Sequence, residues 1–516
     1  MTPENESKIA AIREQEDNAL LARLGYKSEF RRAFSLLETI AFAFSIMGVC
    51  SAVSTTFFFP LITGGHVGMV WGWLIPSIFV LCVAASIAEL TSSMPTSAGI
   101  YYFAAKLAPE KYSALISWIT GWANVTGQIA LACSIDFTTA QMIVTAVAVG
   151  SDGRVILGPS AAFGILIALL LTHAIACSAA THVLARFTFV YAFVYVSTTI
   201  AAIIALLVAS GDNRATAQDA FTKLENNTGW KNDGWAFLLS FTGAMWTLTG
   251  YDAAAHISEE VAGAARSAPI AILSGVAATE FLGFIMLIAA SFATKSVSRL
   301  IESDLPLQIG QLYLDVFGKK GMLALWAVLI SIQWVNGVTQ GVDASRVTFA
   351  LARDNGLPFS RWLKQVNPYT RTPVNAVWFV MFLSGIIGLL SYSETALSSL
   401  AGATVAGLYT SYAIPIFLRL TTGRSKFKPG PFYLGRFSLV VNAIAFAWAT
   451  FVVILLLFPL TEHISSAADM NYAVVIVSAV FIFAALSWIV SARHWFVGPV
   501  PNIDQEKSKD EEEKSG

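Results

Sequence analysis

Five carboxylates, Glu89, Asp136, Asp252, Glu280 and Asp343, fall inside long apolar stretches of the chain. An unpaired charge there is costly, so each such group must carry a proton, hold a cation or close an ion pair. Glu280 has no basic neighbour on its own stretch, and Asp136 is similar, so both are candidates to take up and release a proton. Glu89 and Asp343 lie near stretch ends, where a gating or anchoring role is expected, and Arg346 follows Asp343 by about one helical turn. Asp252 comes two residues after a glycine and joins Glu89, Asp136 and Glu280 as a candidate for coupling or gating.

Two glycines offer a second kind of chemistry. Gly48 interrupts the apolar run 42–54, and Gly250 interrupts the run 243–252. Paired, glycine-interrupted stretches at corresponding positions point to the binding site of a secondary transporter. A helix broken within a bilayer exposes peptide groups that must line a cavity or bind something. Beyond Gly48 the N–H groups of Val49, Cys50 and Ser51 would carry the positive end of a helix dipole and suit a carboxylate. Before it, the carbonyls of Ile46 and Met47 would suit an ammonium group. Gly250 repeats the pattern in reverse, with carbonyls near Trp246 and Thr247 and N–H groups just after it. The alternative is that both glycines only permit close helix packing.

Trp246 could stack on a cation or wall off a ligand, or serve as packing. Asn124 and Gln128 share one helical face, as do Asn336 and Gln340. Such amides face a bundle interior, either bonding neighbouring helices or touching a ligand, with Gln128 and Asn336 the candidates for contact. The segment His256-Ile257-Ser258-Glu259-Glu260 lacks the second His of a zinc protease motif. No nucleophile has a paired base, so neither an enzyme, a metal nor a cofactor is expected. The four cysteines, Cys50, Cys82, Cys133 and Cys177, sit on different stretches and read as small buried residues.

These groups need a membrane scaffold. The 516 residues are 56% hydrophobic and 13% charged, against about 25% charged in a soluble chain. With roughly 20 apolar residues needed per helical crossing, twelve spans are expected at 39–60, 69–93, 113–147, 159–179, 187–209, 235–255, 269–293, 321–344, 374–393, 397–418, 437–460 and 471–491. The third is too long for one crossing and should include an interfacial turn near its start. The polar first 38 residues hold no cleavable signal pattern, so the first span would direct insertion itself. With the N-terminus placed in the cytoplasm, 24 of the 32 Lys and Arg fall on the cytoplasmic side, and both termini are expected there. Residues 1–35 read as a cytoplasmic segment with helical potential, 36–495 as one transmembrane domain, and 496–516 as a disordered cytoplasmic tail.

Four segments carry a resemblance. They are Leu20–Lys27 with Arg31–Ser35; Ala88–Tyr102; Thr249–Glu260 with Ala268-Pro269; and Ala344-Ser345-Arg346 with Ala352–Pro358. Together they resemble the amino acid–polyamine–organocation superfamily, and its fungal branch of amino acid, GABA and choline permeases. The resemblance implies an all-α membrane protein with a five-plus-five inverted repeat, spans 1 and 6 discontinuous, and two extra C-terminal spans. It implies alternating access around the two breaks. The mid-helix lysine of some proton-coupled relatives is absent from span five.

The expected function is secondary transport of a small amino acid or amine, GABA-like zwitterions first, with proton symport the favoured driving force. The partners expected are that small molecule, the lipid bilayer and protons, with no nucleic acid. A choline or polyamine permease is the alternative, and a non-transporting nutrient receptor of the same fold is another. The plasma membrane is the first location expected, the vacuolar membrane the second.

Overall fold

The computed structural model of the protein describes residues 14–501 apart from 28, 31, 180, 213, 394 and 465–469. Among these residues the fold is helical, with isolated bridges only at Phe34–Val261 and Gly65–Leu224. Among the described residues eleven helices are long and apolar enough to cross a membrane. The stretch expected as span six is the exception. It forms three short helices, Asp233–Leu239, Phe241–Thr247 and Ala253–His256, none of crossing length.

The first helix, α1 (Leu36–Met47), opens on a capping box. The Ser35 N–H donates to Glu38 Oε2 at 2.9 Å, and the Glu38 N–H to Ser35 Oγ at 3.4 Å. It stops at Gly48, whose φ of 38° and ψ of 81° lie in the left-handed region where a side chain is strained. A second helix, α2 (Val49–Thr56), starts at once. Then follow α3 (Phe58–Ser93), α4 (Gly99–Leu107), α5 (Ser113–Gly150), α6 (Pro159–Cys177) and α7 (Thr181–Ala209). A 3₁₀ turn at Glu110–Tyr112 precedes α5, which runs unbroken through the whole stretch 113–147 instead of including the interfacial turn expected near its start. After α8 (Phe241–Thr247) and α9 (Ala253–His256) come α10 (Ala264–Ala293), α11 (Gln308–Arg353), α12 (Val374–Ile387), α13 (Ala396–Leu420), α14 (Ser438–Leu455) and α15 (Ala473–Val490). Helix α11 is bent at Gly318, whose φ of 68° separates a short outer arm from the crossing part.

Burial divides the bundle. In the most apolar window of each, 83% of α13, 78% of α1–α2 and 72% of α5 is buried, against 11% of α15. The first three therefore form an inner ring and α15 faces lipid. Its exposed Ile482, Leu486 and Val490, like Phe193 and Val208 on α7, match a hydrocarbon surface.

The N-terminal face of the bundle, against which Tyr26, Ala33 and Phe34 lie, is sealed by ion pairs. Arg346 on α11 donates from Nε to Glu260 Oε1 at 2.8 Å, with both side chains fully buried. Arg353 meets Glu259 at 3.2 Å, and Glu259 also accepts from Thr96 Oγ1 and the Ser97 N–H. Tyr26, Ala33 and Phe34 lie across these pairs: the Ala33 and Phe34 N–H groups donate to the Glu260 carbonyl, and Arg353 stacks over Tyr26 at 4.2 Å. Asp354 accepts from Tyr101 at 2.8 Å, Tyr26 at 3.2 Å and the Val500 N–H at 3.1 Å. Residues 496–501, read as the start of the tail, are thus docked, with Phe496 against Trp118. The rest of that tail, 502–516, and the first 13 residues lie outside the described chain.

Removing Arg346 alone would strand a buried Glu260. Arg346→Met should cost roughly 3–5 kcal/mol, whereas Arg346→Met with Glu260→Leu should recover much of it; thermal unfolding of the detergent-solubilised protein reads both. Burial pushes the Asp354 carboxyl up to about 6, against the pull of Arg353 and its donors. Its folded value exceeds the ordinary 3.8, so its stabilisation is complete below 3.8 and is lost as pH rises through about 6. Asp354→Asn should remove that step from a plot of melting temperature against pH.

Candidate functional site

Two helix interruptions face one another at the middle of the bundle. At the first, α1 gives way to α2 through Gly48. The N–H groups of Val49, Cys50 and Ser51 open α2, where a helix has no internal acceptor for them. Among the described residues no other element supplies one. At the second, α8 ends at Thr247 and α9 begins at Ala253, with Gly250 at φ 95° between them. A methyl group built on Gly250 would lie 2.5 Å from Ile46 Cγ2, so the two interruptions are in direct contact. Glycine is needed at 250 for both its φ and this approach.

Helix α11 presents one amide to each interruption. A methyl on Gly48 would meet the Asn336 amide at 2.2 Å, and one on Gly250 would lie 3.8 Å from Gln340 Oε1. Asn336 bonds Ser51 Oγ at 3.2 Å and the Tyr195 hydroxyl of α7. With its amide nitrogen turned toward α1 it also donates to the Ser45 carbonyl at 2.7 Å. Gln340 donates to Gln128 Oε1 at 2.5 Å, while its own Oε1 has no donor among the described residues. The i,i+4 amide pairs of α5 and α11 therefore both hold helices together and line the breaks.

Asp252 sits just beyond the second interruption, fully buried. It accepts from Tyr412 of α13 at 2.6 Å, and from Gln128 at 3.4 Å and Asn124 at 3.5 Å on α5. Its Oδ2 lies 3.6 Å from His256 Nε2, and His256 Nδ1 is 2.8 Å from Asp343 Oδ1. These three groups, all within 4.8 Å, are close enough to hold an ion. The imidazole is already engaged at hydrogen-bond length by Asp343, so the trio reads as a proton-sharing chain rather than a ligand set. Neither His256 nor Tyr412 was singled out from sequence. His256 had a signal, since it follows Asp252 by four residues and shares its face.

Trp246 donates its indole N–H to Ser134 Oγ at 2.9 Å, and Thr247 meets Thr56 at 3.3 Å. One turn along α5 from Ser134, Thr138 helps line a cavity of about 310 Å³ with Phe59, Phe137, Gln141 and Gln308. Trp246 is thus bonded to α5 one helical turn from that cavity and is not among the residues that line it.

Ile46 through Ser51, Gln128, Trp246, Thr247, Gly250, Asp252 and Asn336 come together here, although Met47 turns its side chain to Gly275 of α10 and offers the site only its backbone. Three candidates do not join them. Glu89 accepts from Ser438 at 2.9 Å and Asn442 at 3.1 Å, anchoring α3 to α14. Asp136 pairs with His173 of α6 at 2.7 Å, behind α11. On α10, the Glu280 backbone carbonyl accepts from Trp73 of α3, and its carboxyl Oε1 is without a partner among the described residues.

Known proteins resemble this chain along nearly all its length. A family profile described as amino acid permease matches residues 34–481. The chain is 36% identical over 498 residues to a protein of Schizosaccharomyces pombe described as an uncharacterized amino-acid permease, covering 96% of this chain and 91% of that one. It is 33% identical to the GABA-specific permease of Saccharomyces cerevisiae, covering 96% and 88% of the two chains. It is also 33% identical to the amino-acid permease BAT1 of Arabidopsis thaliana, covering 94% and 96%. The chain belongs to the amino acid permease family, as its resemblance to the wider superfamily implied. It is a multi-pass membrane transporter and not an enzyme.

Asn336→Ala should raise the KM for amino acid uptake by about tenfold, the loss of one buried polar contact. Glu89→Gln should lower the melting temperature and leave KM within about twofold, because that carboxylate binds helices together. Equal KM values in wild type and Asn336→Ala would remove Asn336 from the site.

Proposed function

We propose that this permease is a secondary active transporter for a small zwitterionic amino acid or amine, with GABA-like molecules foremost, working by alternating access and coupled to protons. The observation that carries the reading is the contact between the Gly48 and Gly250 interruptions, each faced by an amide of α11. Helix-start N–H groups at Val49–Ser51 suit the carboxylate of the cargo. The carbonyls of Ile46 and Met47 at the end of α1 and of Thr247 at the end of α8, together with Asp252, suit its ammonium group, whereas the Trp246 carbonyl accepts from the Thr249 N–H. The sealed N-terminal face and the cavity on the opposite face fit one stage of an alternating cycle.

In this reading span six crosses in pieces through α8 and α9, for twelve spans in all. Two interrupted helices, one early in each half, support the five-plus-five repeat. The excess of Lys and Arg supports cytoplasmic termini, with the plasma membrane as the working location. The relative named as GABA-specific supports the substrate class. A choline or polyamine carrier is the second reading, favoured by the buried carboxylate of Asp252 at the break and by the nearby face of Trp246.

Uptake of radiolabelled GABA, alanine, choline and putrescine into proteoliposomes, with and without a pH gradient, tests this. GABA or alanine should accumulate on a gradient acid outside, and Gly48→Leu and Gly250→Leu should each lower uptake at least tenfold. Unimpaired uptake in both variants would discard the proposed site, and preference for choline or putrescine would favour the second reading.

A further inference from the structure

We propose that His256 takes up the coupling proton, and that its contacts with Asp252 and Asp343 tie that proton to the seal on the N-terminal face. The inference rests on the proton-coupled reading above and assigns it a residue.

The chain after the second break faces α11 along a ladder of three rungs. His256 meets Asp343 at 2.8 Å, Glu260 meets Arg346 at 2.8 Å, and Glu259 meets Arg353 at 3.2 Å. Two rungs are held by guanidinium groups, which keep their charge throughout the physiological range. The first rung is held by an imidazole, the group whose charge changes there. It is also the rung next to the cargo site, since His256 Nε2 lies 3.6 Å from Asp252 Oδ2, which accepts from Gln128 at 3.4 Å.

Charged and titratable groups surround His256 on several elements. Its own segment contributes Asp252, Glu259 and Glu260, and α11 contributes Asp343 and Arg346. Helix α13 brings Tyr412, with Tyr409 and Tyr251 behind it, and α5 brings the neutral amides of Asn124 and Gln128. Helix α4 brings Gly99, on which a methyl would lie 2.7 Å from the imidazole Cδ2. A protonated ring between Asp252 and Asp343 makes the first rung an ion pair. A neutral ring leaves those two buried carboxylates facing one another across it, which favours parting of the ladder.

Proton and seal are therefore linked in both directions. A proton from water on the cavity side adds to the imidazole, forming one N–H bond. When the ladder parts, that bond breaks and the proton passes to water on the N-terminal side, with no other bond changed. The Asp136–His173 pair and Glu280 lie away from the ladder and take no part.

Full-length protein in proteoliposomes, with a trapped pH dye and radiolabelled GABA or whichever amino acid of the panel is best carried, gives protons moved per amino acid. Wild type should show a ratio near one, and His256→Gln should lower it at least tenfold. Asp343→Asn keeps the ring but weakens its hold on the proton, so its uptake-against-pH profile should move about one unit toward acid. That shift decides the matter should His256→Gln prove inactive. A wild-type ratio in His256→Gln, or an unmoved profile in Asp343→Asn, would overturn the proposal and leave proton coupling standing. Loss of the ratio in His173→Asn with the ratio intact in His256→Gln would overturn it likewise. Wild-type uptake with no proton movement would end the coupling reading and this proposal together.

Discussion

The peptide group is the hardest thing to place in a bilayer, because lipid offers it neither donor nor acceptor. Most of this chain answers that constraint with unbroken helices. At Gly48 and Gly250 it does not, and the rest of the centre is arranged around those two exceptions. The interruptions touch through Ile46, so the exposed N–H and carbonyl groups share one small region. Amides from α11 and α5, with hydroxyls from Tyr195 and Tyr412, surround that region without filling every hydrogen-bonding position. Gln340 Oε1, beside Gly250, has no donor among the described residues.

A second consequence follows from where charge is placed. Asp252 and His256 lie immediately beyond the break, and Glu259 and Glu260 follow within the next turn. The same short segment thus touches the centre at one end and the sealed face at the other. Movement of α9 against α11 would be felt at both, which is the requirement for coupling a site to a gate. By contrast Glu89 joins α3 to α14 and Asp136 joins α5 to α6, so these carboxylates fix helices in place.

The membrane character, the approximate spans and the positions of the breaks were legible because hydropathy and glycine act locally along the chain. Asp252, Gln128 and Asn336 were recognisable as polar groups in apolar stretches, but not as neighbours. Reading each carboxylate against its own helix drew attention from Asp343 to Arg346, whereas Asp343 meets His256, 87 residues away, and Arg346 meets Glu260. His256 was passed over because it was weighed only against a protease motif, and its spacing from Asp252 was not used. The lead-in segment offered helical potential, and its role across the sealed face came from backbone bonds between Ala33, Phe34 and Glu260 that no residue pattern encodes.

Sequence alone determined that this protein lives in lipid, where most of its helices run and which two glycines could interrupt them, since burial in hydrocarbon and left-handed backbone depend on residue type. Tertiary structure alone decided that the two failures meet, which amide faces which glycine, and which acid pairs with which base. Those outcomes depend on helix packing between residues far apart in the chain, where side-chain direction and distance, not composition, set the energy.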